Sequence, residues 1–196
     1  MSKNDNNIVS KTGYLPILAS AAVAGLMTLM LWMQGRIWWC NSGDLAIYVH
    51  EAWNSRHTSQ HLLDPYTFTH ILHGVLFFWI TGLIFSRINI KWRFFVAIVA
   101  ESVWEVFENS NYVIAKYRSN TASLDYFGDS IMNAAGDVLA CAAGFWIAYK
   151  LGWRLAIVFF IFVEACLLLW IRDSLLLNIL MLIYPLDVVK AWQIAA

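Results

Sequence analysis

The chain has 196 residues, 60% of them hydrophobic, 16% aromatic and only 13% charged, with thirteen Lys or Arg balancing thirteen Asp or Glu. Soluble domains carry about a quarter of their residues as charges, and here the apolar residues are gathered into blocks, so the composition points to a polytopic membrane protein. Zero net charge with no like-charge run gives no basic field for nucleic acid, which is not expected as a partner.

The first apolar block, 14–33, lacks a convincing cleavage site and reads as a retained anchor behind a short tail, 1–13. Further blocks at 68–86, 93–110, 128–149 and 153–171 are close to the ~20 residues that span hydrocarbon. The last block, 175–192, is apolar to Pro185 and then carries Asp187 and Lys190. It spans, re-enters or lies along the interface, and a sixth span is favoured. The expected fold is therefore all-α, a single transmembrane bundle of five to six helices over 1–196. Short loops holding Arg87, Lys91, Arg93, Lys150 and Arg154, together with Lys3 and Lys11, share a side. By the positive-inside rule that side is cytoplasmic, which places loops 34–67 and 111–127 outside a bacterial inner membrane.

Within this frame the acids stand out, because none has a Lys or Arg at its own depth. A charge at bilayer centre costs ~2.5–3.5 kcal/mol or more, so such groups persist when protonated, paired, wet or holding a cation. Glu101, Glu105 and Glu108 follow i, i+4, i+7 spacing and share one helical stripe. His70 and His73, at i, i+3, open the second span, and Asp129, Asn133 and Asp137 line the start of the fourth. All three sets fall at the outer ends of their spans, which predicts a polar core near the periplasmic side. Helices that present Glu, His and Asp to one another build carboxylate-bridged metal sites, although no Glu-x-x-His motif occurs.

Plainer readings stand beside this. Glu105 and Glu108 can snorkel to headgroups, His70 can cap its helix, and Asp129 after Gly128 suits an N-cap. Glu101 and Asp137 are deeper and harder to explain that way. Glu164 has no evident partner. In the loops, Arg118 among Ser119, Asn120 and Thr121 suits a phosphate, or equally a structural tie to Glu108 or Asp125, and His61 and Asp64 add polar chemistry. Gly136, Ala140 and Gly144 form a small-residue face for close helix packing. Cys40, Cys141 and Cys166 match neither a disulfide framework nor a zinc spacing.

The strings Ser59-Gln60-His61, Asp64-Pro65-Tyr66-Thr67, His70-Ile71-Leu72-His73-Gly74, Trp104-Glu105-Val106-Phe107-Glu108-Asn109-Ser110, Tyr117-Arg118-Ser119-Asn120-Thr121, Tyr126-Phe127-Gly128-Asp129-Ser130 and Ile171-Arg172-Asp173-Ser174 are distinctive. From about Gly35 to Gln193 the chain resembles an uncharacterised family of small bacterial inner-membrane proteins, a domain of unknown function. The resemblance implies a second cysteine at the position of Ser42, which departs from it here. More loosely, His, then Glu, then Asp, Asn and Asp on successive spans is similar to VanZ-like membrane proteins, which implies a role facing the cell envelope.

The resulting expectation is a metal-assisted hydrolase or transferase acting on an envelope lipid or lipid-linked phosphate. In it His70, His73, Glu101, Glu105 and Asp129 hold a divalent cation, Glu108 or Asp137 carries the proton, and Arg118, His61 and Asp64 contact substrate. Two other classes fit the same residues: a proton- or cation-coupled transport or lipid-handling protein, and a noncatalytic subunit that binds another membrane protein.

Overall fold

The computed structural model describes residues 13–53 and 55–195. The described residues form seven helices: α1 (Leu15–Met33), α2 (Thr67–Ile84), α3 (Ile90–Glu108), α4 (Asn111–Asn120), α5 (Ile131–Ile171), α6 (Leu175–Ile183) and α7 (Asp187–Ile194). Among the described residues α1, α2 and α5 are long and apolar enough to cross a membrane. The expected tail 1–13, with Lys3 and Lys11, lies almost wholly outside the described residues.

Local chemistry sets the helix starts. Pro16 sits in the first turn of α1, where no N–H partner is needed. At α2, Asp64 Oδ1 accepts from the amides of Tyr66 (2.8 Å) and Thr67 (3.2 Å), while Thr67 Oγ1 accepts from the Asp64 amide at 3.0 Å. Asn89, Ser110, Ser130 and Ser174 supply side-chain caps to α3, α4, α5 and α6. Ser130, and not Asp129, is thus the cap of α5.

Helix α5 is two arms. Gly152 adopts φ 72° and ψ 171°, a backbone open to glycine and strained for other residues, and it breaks the helix between residues 131–151 and 153–171. The first arm runs alongside α2, with Phe145 and Tyr149 against Phe78. The second returns, with Trp153 and Phe160 against Trp79 and Trp170 against Phe68. Helix α2 is therefore clasped by both arms, around a core of Leu72, Val75, Ala148, Phe160 and Leu167. The expected spans 128–149 and 153–171 correspond to these arms. The small-residue face acts as expected: a Cβ on Gly144 would strike the Ile71 carbonyl, one on Gly136 the Leu62 carbonyl, and one on Gly74 the Cys141 carbonyl. Helix α1 packs on α3 and the start of α5 through Met27, Leu31, Ile98, Ile131 and Val138.

Two sequence expectations change. Helix α3 covers the expected span 93–110, but Lys91, Arg93, Glu101, Glu105 and Glu108 keep it outside the group apolar enough to cross by composition alone. The expected sixth span over 175–192 is instead a pair of helices of 9 and 8 residues, each far short of bilayer thickness at ~1.5 Å per residue. Arg172 donates to the Trp192 carbonyl (2.9 Å), Gln193 donates to the Arg172 carbonyl (3.2 Å), and Lys190 reaches the Ser119 carbonyl. The C-terminal segment thus starts and finishes at one end of the bundle.

Glu164 acquires a partner in this turn. Its carboxylate accepts from the amides of Leu175 (2.9 Å) and Leu176 (3.3 Å), the orphan donors of the first turn of α6. Glu164→Ala is expected to destabilise the protein by about 0.5–2 kcal/mol. Gly144→Val, which must push α2 away from α5, is expected to cost about 1–3 kcal/mol or more. Thermal unfolding of detergent-purified variants measures both, and a Gly144→Val protein as stable as wild type would contradict the close packing.

Candidate functional site

Helices α2, α3 and the first arm of α5 bring their polar faces together. His70 and His73, one turn apart on α2, both reach Glu101 on α3. His70 Nδ1 lies 2.6 Å from Glu101 Oε1, and His73 Nδ1 lies 3.0 Å from Oε2 and 3.2 Å from Oε1. One turn along α3, Glu105 Oε1 is 3.4 Å from His70 Nδ1, and across the bundle Asp137 Oδ2 is 3.9 Å from His70 Nε2. Glu101 and Glu105 are fully buried and Asp137 is 3% exposed, so none of them snorkels. Donor atoms of His70, His73 and Glu101 lie within 4.8 Å of one another, as do those of His70, Glu105 and Glu108, two overlapping sets close enough to hold a metal ion.

The charges do not balance. Glu101, Glu105, Glu108, Asp129 and Asp137 face two imidazoles, and among the described residues the only side chains paired with a carboxylate at salt-bridge distance are histidines. Even with both imidazoles charged, three negative charges need protons or a cation. Both Glu105 oxygens, Glu108 Oε2 and Asp137 Oδ1 are buried without a hydrogen-bond partner. Unsatisfied buried acceptors of this kind suit a cation in their midst.

A cavity of 420 Å³ opens over this cluster. His70, His73, Glu108, Asp129, Asn133 and Asp137 form its polar side, and Leu76, Phe77, Val103, Trp104, Phe107 and Ile179 its apolar side. A groove of 380 Å³ lined by Tyr112, Val113, Leu182 and Ile183 shares Trp104, Phe107 and Ile179 with it.

The family model described as "Protein of unknown function (DUF2585)" matches residues 31–195. The chain belongs to the DUF2585 family. It is similar to a UPF0314 protein of Brucella anthropi, 39% identical over 179 residues that cover 91% of this chain and 90% of the relative. UPF0314 proteins of Sinorhizobium fredii (41%, covering 93% and 92%) and Rhizobium meliloti (42%, covering 90% and 89%) are similar over comparable lengths. No solved structure matches. The looser likeness to VanZ-like proteins gains no support from these matches.

In this DUF2585 protein the sequence-chosen residues separate into groups. His70, His73, Glu101 and Glu105 lie close together, and Glu108, chosen as a proton carrier, has a carboxylate oxygen within 4.8 Å of ligand atoms of His70 and Glu105. Asp129 lines the cavity but lies outside both ligand sets. Its Oδ2 accepts from Asn109 Nδ2 at 2.7 Å and its Oδ1 from Tyr126 Oη at 2.9 Å. Tyr117 Oη, which spacing did not single out, donates to Glu108 Oε1 at 2.7 Å. Arg118 is exposed on the last turn of α4, does not line the cavity and ties neither Glu108 nor Asp125. A phosphate contact from Arg118 inside the cavity is not what the geometry provides. Asp64 caps α2, and His61 lies in a separate loop cluster with Cys40 and His57. Cys40, which spacing dismissed, lies 17 residues from His57, too irregular an interval to register as a motif.

Two loop acids are coupled to folding. Burial pushes the Asp64 carboxyl up to about 6, with nearby Asp129 adding to the effect, and burial pushes Asp173 up to about 6 as well. Each holds a proton more tightly folded than unfolded, so its stabilisation is complete below about pH 4 and is lost as pH rises through about 6. Each contributes up to ~3 kcal/mol across that window. The protein is expected to unfold at higher temperature at pH 5 than at pH 7.5, and Asp64→Asn with Asp173→Asn should shrink that difference. An unchanged difference in the double variant would show that these two acids are not its source.

Proposed function

We propose that this chain is a multi-pass inner-membrane protein in which α1, α2, α3 and the two arms of α5 span, with the cavity open to the periplasmic side. Arg87 lies in the short turn between α2 and α3, Lys91 and Arg93 open α3, and Lys150 and Arg154 flank the break at Gly152, short connections of the kind where the positive-inside rule has most force. Lys190, which contacts Ser119, joins the cavity end and reduces the overall bias. Orientation therefore rests on those short loops.

In this reading the cavity binds a divalent cation and carries out metal-assisted hydrolysis or transfer on a phosphate-bearing lipid. The observation that carries it is the convergence of His70, His73, Glu101, Glu105 and Glu108, a set deficient in positive charge, beneath a cavity whose opposite wall is apolar. The two histidines and Glu101 are the primary ligands, with Glu105 and Glu108 completing an oxygen-rich side. A bound divalent cation polarises a phosphoryl oxygen and lowers the pKa of an attached water. Asp137, with one buried oxygen unpartnered, takes the proton of the attacking water inside the cavity, and Tyr117 holds Glu108 in place. The apolar wall and the adjoining groove hold the acyl portion of the lipid, and Arg118 has no part.

The surplus of carboxylates over imidazoles also favours a second reading, in which the same cluster exchanges protons or a cation during transport without altering a substrate. Elemental analysis of protein purified in mild detergent is expected to find divalent metal, about one equivalent of it lost when the deep cluster is disabled. His73→Ala and Glu101→Gln should each weaken metal binding by at least ~10-fold, while Asp137→Asn keeps the metal and loses phosphate release from lipid phosphates. Folded wild-type protein free of metal would refute the catalytic reading. Ion or lipid flux in vesicles that needs Asp137 and leaves every lipid chemically unaltered would select transport.

A further inference from the structure

The loop between α1 and α2 holds a second constellation, independent of the deep cluster. Cys40, His57 and His61 offer a sulfur and two nitrogens that all lie within 4.8 Å of one another. Cys40 Sγ is 3.5 Å from His57 Nδ1, and His57 Nδ1 is 3.1 Å from His61 Nε2. For zinc bonds of about 2.3 Å to sulfur and about 2.0 Å to nitrogen, a tetrahedron has edges of roughly 3.5 Å between S and N and roughly 3.3 Å between two N. The two separations that His57 Nδ1 makes stand close to these values, and the third lies within 4.8 Å.

Proton placement points the same way. His61 Nδ1 lies 2.6 Å from the Ala46 carbonyl, which only accepts, so Nδ1 carries a proton and Nε2, 3.1 Å from His57 Nδ1, is the ring's ligand atom. A backbone carbonyl that fixes the far nitrogen is the usual outer support of a metal-bound imidazole. His57 Nδ1 meanwhile faces both that nitrogen and the Cys40 sulfur, and a single proton on Nδ1 serves both only as a shared, bent bond. A cation between them satisfies all three donors. Ser42 Oγ, 2.9 Å from the sulfur, and Asp44 Oδ2, 3.9 Å from His57 Nδ1, put oxygens beside the fourth position. Cys40 and His61 are buried while the His57 side chain is 26% exposed, so the site has a way in from solvent.

We propose that Cys40, His57 and His61 form a transition-metal site, suited to zinc or another borderline ion by its one thiolate and two imidazoles. Its position gives it a task. His57 and His61 bracket Thr58 and Ser59, which line the cavity, and Ser59 is held in the left-handed region at φ 55°. The same segment is bonded to the start of α5, through the Ser130 amide to the Ser59 carbonyl (2.9 Å) and Asn133 Nδ2 to the His61 carbonyl (2.8 Å). The ion therefore clamps the loop that walls the cavity onto the helix bearing Asn133 and Asp137.

Cobalt(II) titration of chelator-stripped protein in detergent tests this. Wild type is expected to develop a thiolate-to-cobalt charge-transfer band and tetrahedral d–d bands that zinc displaces. Cys40→Ser, nearly isosteric, should remove the sulfur band, and His57→Ala should weaken cobalt binding by at least ~10-fold. Glu101→Gln, which disables only the deep cluster, should leave the sulfur band unchanged, so failure of either site is read separately. No sulfur band in folded wild type, or an equal band in Cys40→Ser arising from Cys141 or Cys166, would overturn the proposal.

Discussion

Burying five carboxylates against two imidazoles, inside a bundle whose outer surface is apolar, is the constraint that shapes this molecule. Each acid removed from water costs several kcal/mol unless its charge is matched, and among the described residues no Lys or Arg enters the cluster to match it. The fold responds by stacking its means of neutralisation. Two histidines share Glu101, Tyr117 bonds Glu108, and Asn109 with Tyr126 holds Asp129. What these leave over, chiefly on Glu105 and Asp137, is the capacity for a proton or a cation. Function is read from that remainder.

The same constraint accounts for the rest of the architecture. For the acids to face inward, α2, α3 and the first arm of α5 must approach closely, which the glycines on α2 and α5 allow by bringing backbone against backbone. The second arm then covers the other side of α2. Residues 57–61 pack at the polar end, fastened to α5 by Asn133, which donates to the His61 carbonyl at 2.8 Å, and to the segment just before α5 by Gln60, whose side chain donates to the Gly128 carbonyl at 2.8 Å.

Hydrophobic blocks made the helices legible in the sequence, and the i, i+4, i+7 stripe on α3 with the i, i+3 pair on α2 made most of the cluster legible, because helical periodicity converts directly into a shared face. Other features left no such trace. Apolar composition over 175–184 suggested a crossing, but Pro185 and Asp187 divide the segment, and contacts from Arg172 and Lys190 decide its path. Glu164 looked solitary because its partners are backbone amides beyond a turn. Arg118 looked like a phosphate ligand from its neighbours alone, while its direction depends on how α4 packs against α6. Cys40 and His57 meet through loop geometry, which has no period to read.

The turn at Gly152 also bears on how the protein is made. Helices α2 and α3 leave the ribosome carrying His70, His73, Glu101 and Glu105, yet the arms that enclose α2 and bring Asp137 to the cluster are synthesised afterwards. Until residues 131–171 emerge and double back, the imidazoles and carboxylates of the earlier helices lack the wall that α5 supplies. Enclosure of the buried acids is thus finished by the part of the chain made after them, when the late hairpin packs around α2.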